Sequence, residues 1–196
     1  MERYYGILTK IDWNTNKWED KPTEEDIKRS EYIKENEPIY GSLNYAHDGN
    51  AEDREASYQG YLPQFAGVTH KPADIKDICV VFIQSKNPED GKEYITGFYA
   101  FPQLSPGRRI SPFSEYPYLN TNIRAAIKNI HRVENYLDIS LLTDGIHFPA
   151  KKLRGKLTYA YLTKTHVEKI LDALTKENKE DKKLHALKFR ILQSYS

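Results

Sequence analysis

Apolar positions along this chain fall into two kinds of run, one alternating and one continuous. Near the start, Tyr5, Ile7, Thr9, Ile11 and Trp13 alternate with Gly6, Leu8 and Lys10, the period of a strand. Asn14-Thr15-Asn16-Lys17 then reads as a turn that returns Trp18 across from Trp13. Ile78-Cys79-Val80-Val81-Phe82-Ile83 is apolar at every position, which predicts a strand buried on both faces. Asn87-Pro88-Glu89-Asp90-Gly91 supplies a turn, with Gly91 free to take positive φ. A second run, Tyr94 to Phe101, completes a hairpin. Gly97 interrupts that run between Thr96 and Phe98, and a glycine inside a strand marks a bulge or a close approach by backbone or ligand.

Elsewhere the pattern predicts helices and loops. Thr23 caps a short acidic helix, with acids in its first turn. From Pro38 to Thr69 the chain is irregular and glycine-rich, yet it carries Tyr40, Tyr45, Tyr58, Tyr61 and Phe65. The stretch LSPGRRISPFSEYPYLN reads as a rigid loop presenting Arg108, Arg109, Phe113, Tyr116 and Tyr118. A helix is predicted from about Asn122 to Val133, with Ile123, Ala126, Ile127 and Ile130 buried and Arg124, Lys128 and Arg132 gathered along another side. Thr143-Asp144-Gly145 is a turn, and a basic loop then runs into a strand from Leu157 to Leu162. Thr165-His166-Val167-Glu168 matches a capping box ahead of an amphipathic helix on Val167, Ile170, Leu171 and Leu174. A last helix shows Leu184, Leu187, Ile191 and Leu192.

At 196 residues the chain is long enough for one domain with a good core. No run reaches the roughly 18 apolar residues of a membrane span, and the start lacks the apolar core of a signal peptide. The single cysteine, Cys79, excludes an intrachain disulfide and suits a reducing cytosol, so a cytoplasmic location is expected. Charge is unevenly spread. Glu19 to Glu35 holds seven acids and four bases, whereas Ser105 to Lys164 holds ten bases and four acids. Such a chain can turn one basic face to a polyanion while staying nearly neutral overall. Even mixing over the surface is the plainer alternative.

Catalytic motifs are missing. No phosphate-cradling glycine loop and no nucleophile elbow occurs, and no two histidines lie four apart on one helix face. His47-Asp48 is a candidate ligand pair, and Asp90-Gly91-Lys92-Glu93 sets acids beside a lysine, so a nuclease or nucleotide-modifying enzyme stays open as an alternative. No cofactor is expected.

The positive signal is aromatic supply beside basic loops, since tyrosine occurs fifteen times against seven phenylalanines and two tryptophans. Tyrosine stacks on flat rings and keeps a polar edge. Cations for phosphates and planar faces for bases are what nucleic-acid binding requires. The same tyrosines also suit the lining of a half-exposed barrel, and aromatic loops suit a peptide-binding module. One stretch adds a resemblance. Val80-Val81-Phe82-Ile83-Gln84-Ser85, then Gly91, then Ile95-Thr96-Gly97-Phe98-Tyr99 is similar to the signature hairpin of PUA-like modified-base readers of the YTH and EVE group. In those proteins, as here, an opening strand and a long aromatic-bearing insertion precede the hairpin. YTH readers build their cage with tryptophans around and after this hairpin, whereas Trp13 and Trp18 lie at the first strand here.

The resemblance implies an α+β fold: a small curved PUA-like β-barrel over about residues 1 to 163, with helices over about 165 to 195 packed outside. It implies one domain, the N-terminal piece of a larger protein such as a McrB-like subunit of a methylation-dependent restriction system. The expected function is non-catalytic: recognition, in double-stranded DNA, of a flipped methylated base held in an aromatic cage. Motor and nuclease subunits would be partners through the rest of the protein. Cage candidates are Trp18, Tyr40, Tyr45, Gly97, Tyr99, Phe101 and Phe113. Backbone-contact candidates are Ser85, Arg108, Arg109, Lys151, Lys152 and Arg154.

Overall fold

The doubly apolar run lies at the centre of the molecule. In the computed structural model, which describes residues 3–29, 43–45, 56–65, 78–142 and 159–195, it forms strand β3 (Val80–Lys86). Numbered in chain order, β1 (Gly6–Ile11), β4 (Glu93–Ala100), β7 (Ile130–Asp138) and β8 (Tyr159–Leu162) join it in a five-stranded sheet of order β7-β4-β3-β1-β8. Strand β1 runs parallel to β3, and the other neighbours pair antiparallel. Strands β2 (Ser57–Gly60), β5 (Gln103–Ile110) and β6 (Tyr118–Ala126) form a second sheet of order β2-β6-β5. Helices α1 (Glu24–Arg29), α2 (Lys164–Glu177) and α3 (Lys182–Gln193) complete an α+β architecture. Among the described residues no helix is long and apolar enough to cross a membrane.

Alternate side chains of β3 serve two cores, which is why every position from Val80 to Ile83 is apolar. Val80 and Phe82 pack with Leu8, Phe98 and Leu162 against Val167, Ile170, Leu171 and Leu174 of α2 and Leu184, Leu187 and Ile191 of α3. Val81 and Ile83 point the other way, to Ile7, Tyr99 and the Ile123 and Ala125 of the second sheet. The large sheet is therefore covered by helices on one face and by the small sheet on the other. Cys79 just precedes β3 and is half-buried, its backbone bonded to Tyr5 and Phe101.

The opening strand, the hairpin and the two C-terminal helices match the sequence pattern. Gly91 takes φ 72°, and its N–H donates to the Asn87 carbonyl at 2.9 Å. Three readings are overturned. The helix expected from Asn122 to Val133 is the end of β6, a 3-10 turn (Ile127–Asn129) and the start of β7. Isoleucine and valine recur there, their branched side chains favour the pleated surface, and β2, β4 and β5 offer edges to pair with. Arg124, Lys128 and Arg132 are consequently not gathered on one side: Arg124 reaches Gln103, and Arg132 pairs with Glu19. The proline-rich stretch is a loop only over residues 111–117: Leu104–Ile110 belong to β5, at the edge of its sheet, and Tyr118–Asn120 to β6. Pro106 is tolerated because the register with β6 shifts between Leu104 and Gly107. The cap of α2 is Thr163, with His166 as its reciprocal partner, two residues earlier than the Thr165 pattern suggests.

At the seam between sheet and helices, His131 Nε2 lies 2.7 Å from Asp181 Oδ2, while Asp181 Oδ1 caps α3 by accepting from Leu184 N at 2.9 Å. Burial lowers the pKa of His131 against the opposing pull of Asp181. The folded state therefore binds this proton less readily than the unfolded chain. Stability from this group is complete above the ordinary histidine value of about 6.5 and is lost as pH falls below it. We expect the melting temperature to drop as pH falls below about 6.5, and His131→Gln to flatten that drop in thermal melts followed by circular dichroism. Equal slopes in both proteins would remove His131 as the cause.

Candidate functional site

The candidate site is built where β4 loses register with both neighbours. Against β3, Ile83 faces Gly97 and Gln84 faces Ile95, so Thr96 is passed over. Against β7, Gly97 faces Arg132 and Ile95 faces Leu137, so the stretch from Val133 to Tyr136 stands opposite the single Thr96. Bulges of this kind re-aim side chains and recur beside functional sites. Here the β7 bulge sends Tyr136 towards the two tryptophans.

Their rings meet edge to face. Trp13 and Trp18 have centroids 5.6 Å apart at 77°, Trp13 and Tyr136 5.9 Å at 84°, and Trp18 and Tyr136 6.2 Å at 64°. Behind them Tyr45 lies 6.2 Å from Trp18 and 6.5 Å from Tyr99. Trp18, Tyr45 and Tyr99 are buried, while Trp13 and Tyr136 are half-buried and form the outer wall. The turn before Trp18 is held by its own polar groups. Asn14 Oδ1 accepts from Asn16 N at 2.7 Å, and its Nδ2 donates to the Asp20 carbonyl at 3.0 Å. Asp26 of α1 accepts from the Thr15 backbone and hydroxyl at 3.1 and 2.8 Å. Burial opposes charge on Asp26, yet the hydrogen bonds from Thr15 and Thr23 hold its carboxyl below its ordinary range.

Two features mark strain or an unmet need. Lys17 and Trp18 both take φ 58°, a left-handed conformation that costs a bulky residue on the order of 1–3 kcal/mol. Trp18 stays there because its indole N–H donates to the Asp12 carbonyl at 3.0 Å and its own carbonyl accepts from Tyr45 N at 3.0 Å. The Tyr45 hydroxyl is buried and completes no hydrogen bond of good geometry, although Thr96 lies beside it. Burial pushes that hydroxyl's pKa up, so it stays a neutral donor. Beside the outer wall, Arg132 Nε donates to Glu19 Oε1 at 2.9 Å.

Several expected site residues lie elsewhere. Gly97 is no landing place for a base: a Cβ there would sit 2.7 Å from the Tyr45 hydroxyl and 2.9 Å from Arg132 Cα, and closer still to the His131 carbonyl. Tyr99 is core, with its hydroxyl donating to the Asn44 carbonyl. Phe101 is on the helix face, under the Arg190 guanidinium at 5.2 Å, with the sheet between it and Tyr99. Phe113 packs with Leu43, Leu119 and Tyr116, and the Lys21 ammonium stands 4.4 Å from its ring. Ser85 is buried and donates to the Ile11 carbonyl at 3.0 Å, so it is not a phosphate contact. Arg109 folds inward, 4.6 Å over the Tyr58 ring, whereas Arg108 is exposed. Tyr40, Lys151, Lys152, Arg154, His47 and Asp48 lie outside the described residues.

Trp13 and Tyr136 were missed as site residues. Alternation carried Trp13 into the strand pattern, and Tyr136 shows itself only through the bulge. The acids near Lys92 are engaged by neighbours: Asp90 accepts from the Tyr94 hydroxyl at 2.6 Å, Lys92 pairs with Asp138 at 2.9 Å, and Glu93 pairs with Lys10 at 2.6 Å. Among the described residues no group of three or more His, Cys, Asp or Glu is placed to hold a metal ion. Comparison with protein-family models, curated proteins and solved structures gives no match to this chain.

Proposed function

We propose that this chain is a non-catalytic DNA-binding domain that takes one flipped, methylated base against the wall formed by Trp13 and Tyr136. The observation that carries the reading is the meeting of Trp13, Trp18, Tyr45 and Tyr136 over the double bulge at Thr96, with a buried tyrosine hydroxyl lacking a partner. Rings supply stacking for any base. A methyl group gains about 0.8 kcal/mol when its carbon is buried. The Arg132–Glu19 pair beside the outer wall offers a donor and an acceptor for a base edge. The two sheets, packed face to face through Val81, Ile83, Ile123 and Ala125, would be the halves of the curved PUA-like barrel that the hairpin resemblance implies. In that setting the domain would direct the motor and nuclease of a restriction system to methylated DNA.

The chain carries its own reporter. Its two tryptophans both belong to the site, so a base stacking there should quench intrinsic fluorescence. Titration with duplexes bearing N6-methyladenine, 5-methylcytosine or no modification is expected to quench more at lower concentration with one methylated duplex. Binding should weaken steeply as salt rises, as phosphate contacts demand. Trp13→Ala is expected to remove the methyl preference while lowering the melting temperature less than Trp18→Ala, because Trp13 is only half-buried. Salt-independent binding of a peptide in place of DNA, or equal quenching by all three duplexes, would overturn the reading.

A further inference from the structure

We infer that the β5–β6 ribbon is a second DNA-contacting element, one that fills the stack left by the extracted base; this rests on the base-reading function above. At its tip Ile110 pairs with Tyr118, and both are strongly exposed, at 81% and 63%. One rung back on the same face, two residues along each strand, Arg108 pairs with Asn120, and both are exposed. The alternate rung, Arg109 with Leu119, faces inward. An exposed isoleucine and tyrosine on a paired ribbon, backed by an arginine and an asparagine, have the chemistry of a wedge. Such apolar side chains insert at base steps while cations hold the phosphates.

Charge selects the occupant. Between residues 103 and 126, the span of the ribbon, the sole acid is Glu115, while Arg108 and Arg124 are exposed cations. Glu115 is itself paired with Lys21. A polyanion therefore fits this face better than a basic or neutral protein partner, and the base-reading function makes that polyanion DNA. The ribbon is also tied to the aromatic site. Lys21, which engages Glu115 and the Phe113 ring, follows Trp18 by three residues. Leu119 and Phe113 pack on Leu43, next to the segment that delivers Tyr45. A wedge and an aromatic wall held on one framework can act on neighbouring positions of the same strand, which is what flipping a base requires.

The test uses the double variant Ile110→Ser, Tyr118→Ser and two probes of one sequence. One is a duplex with the preferred methylated base and 2-aminopurine beside it; the other is the methylated single strand alone. Both positions are exposed, so the melting curve should match wild type. Affinity for the duplex should fall about tenfold, the size of one lost stacking contact, and the 2-aminopurine signal on binding should shrink. Affinity for the single strand, which has no stack to fill, should be unchanged. Unchanged duplex binding, or equal loss on both probes, overturns the wedge. Failure of the base reading shows separately, as wild-type protein that binds methylated and unmodified duplexes alike. A duplex-specific loss in the variant would still support the ribbon contact in that case. Wild-type protein that binds no duplex overturns both.

Discussion

Gly97→Val is expected to abolish cooperative folding, so that base recognition and salt-sensitive DNA binding vanish together. The reason is backbone, not bulk. The first side-chain carbon would already press into the His131 carbonyl and Arg132 Cα on the paired strand and into the Tyr45 hydroxyl. Strand β7 cannot retreat, because Val133 and Leu137 anchor it in the helix-facing core. A penalty of at least about 3 kcal/mol, at the severe end of overpacking, is a large part of the about 5–15 kcal/mol that holds a domain together. Gly97→Ala separates this account from a base landing on the glycine. If a ligand filled that space, alanine would be mild; if backbone fills it, alanine carries most of the same cost. Urea unfolding of both variants decides. An alanine variant with the wild-type midpoint would show slack between β4 and β7.

Trp18→Ala is expected to be the most costly change within the aromatic cluster. The ring is 1% exposed and touches Trp13, Tyr45 and Tyr136. Removing a buried ring of this size costs about 3–5 kcal/mol. For a chain of this length the melting temperature should fall on the order of 10 °C. Alanine at φ 58° gains no relief, because any residue with a Cβ is strained there. Without the indole, Trp13 and Tyr136 lose the surface that sets their angle, so the methyl preference should fall as well. Trp18→Phe keeps a ring and loses the bond to the Asp12 carbonyl, which costs about 1 kcal/mol. It should sit between wild type and alanine in both melting and binding. A Trp18→Ala protein that melts with wild type would mean the cluster carries no stability.

What the linear pattern showed well were segments whose burial is decided by their own period. Val80 to Ile83 is apolar throughout and is buried on both faces. Val167, Ile170, Leu171 and Leu174 recur at helical spacing and line one helix face. Where period and propensity disagreed, the reading failed. Ile123, Ile127 and Ile130 fit a helical stripe, yet branched residues favour a sheet when an edge is free to receive them. That edge, on β2, β4 and β5, lies outside the segment. Single-residue signals fared alike: Gly97 announced a close approach, but not that backbone and Tyr45 would make it.

By itself, then, the sequence of this protein determined its α+β class, its central hairpin, its paired C-terminal helices, its many tyrosines and an excess of bases between Ser105 and Lys164. Those follow from local periodicity, turn chemistry and composition, which act over a few residues. Only the tertiary structure decided which aromatics meet. Tyr136 reaches Trp13 because β7 bulges opposite Thr96, and Phe101 is parted from Tyr99 because β4 ends at Ala100 and the chain turns there, with Phe101 at φ 50°. Likewise Arg109 turns inward while Arg108 stays in solvent, by the parity of one strand register. Register and bulge position depend on partners far away in the chain, so no window of sequence contains them.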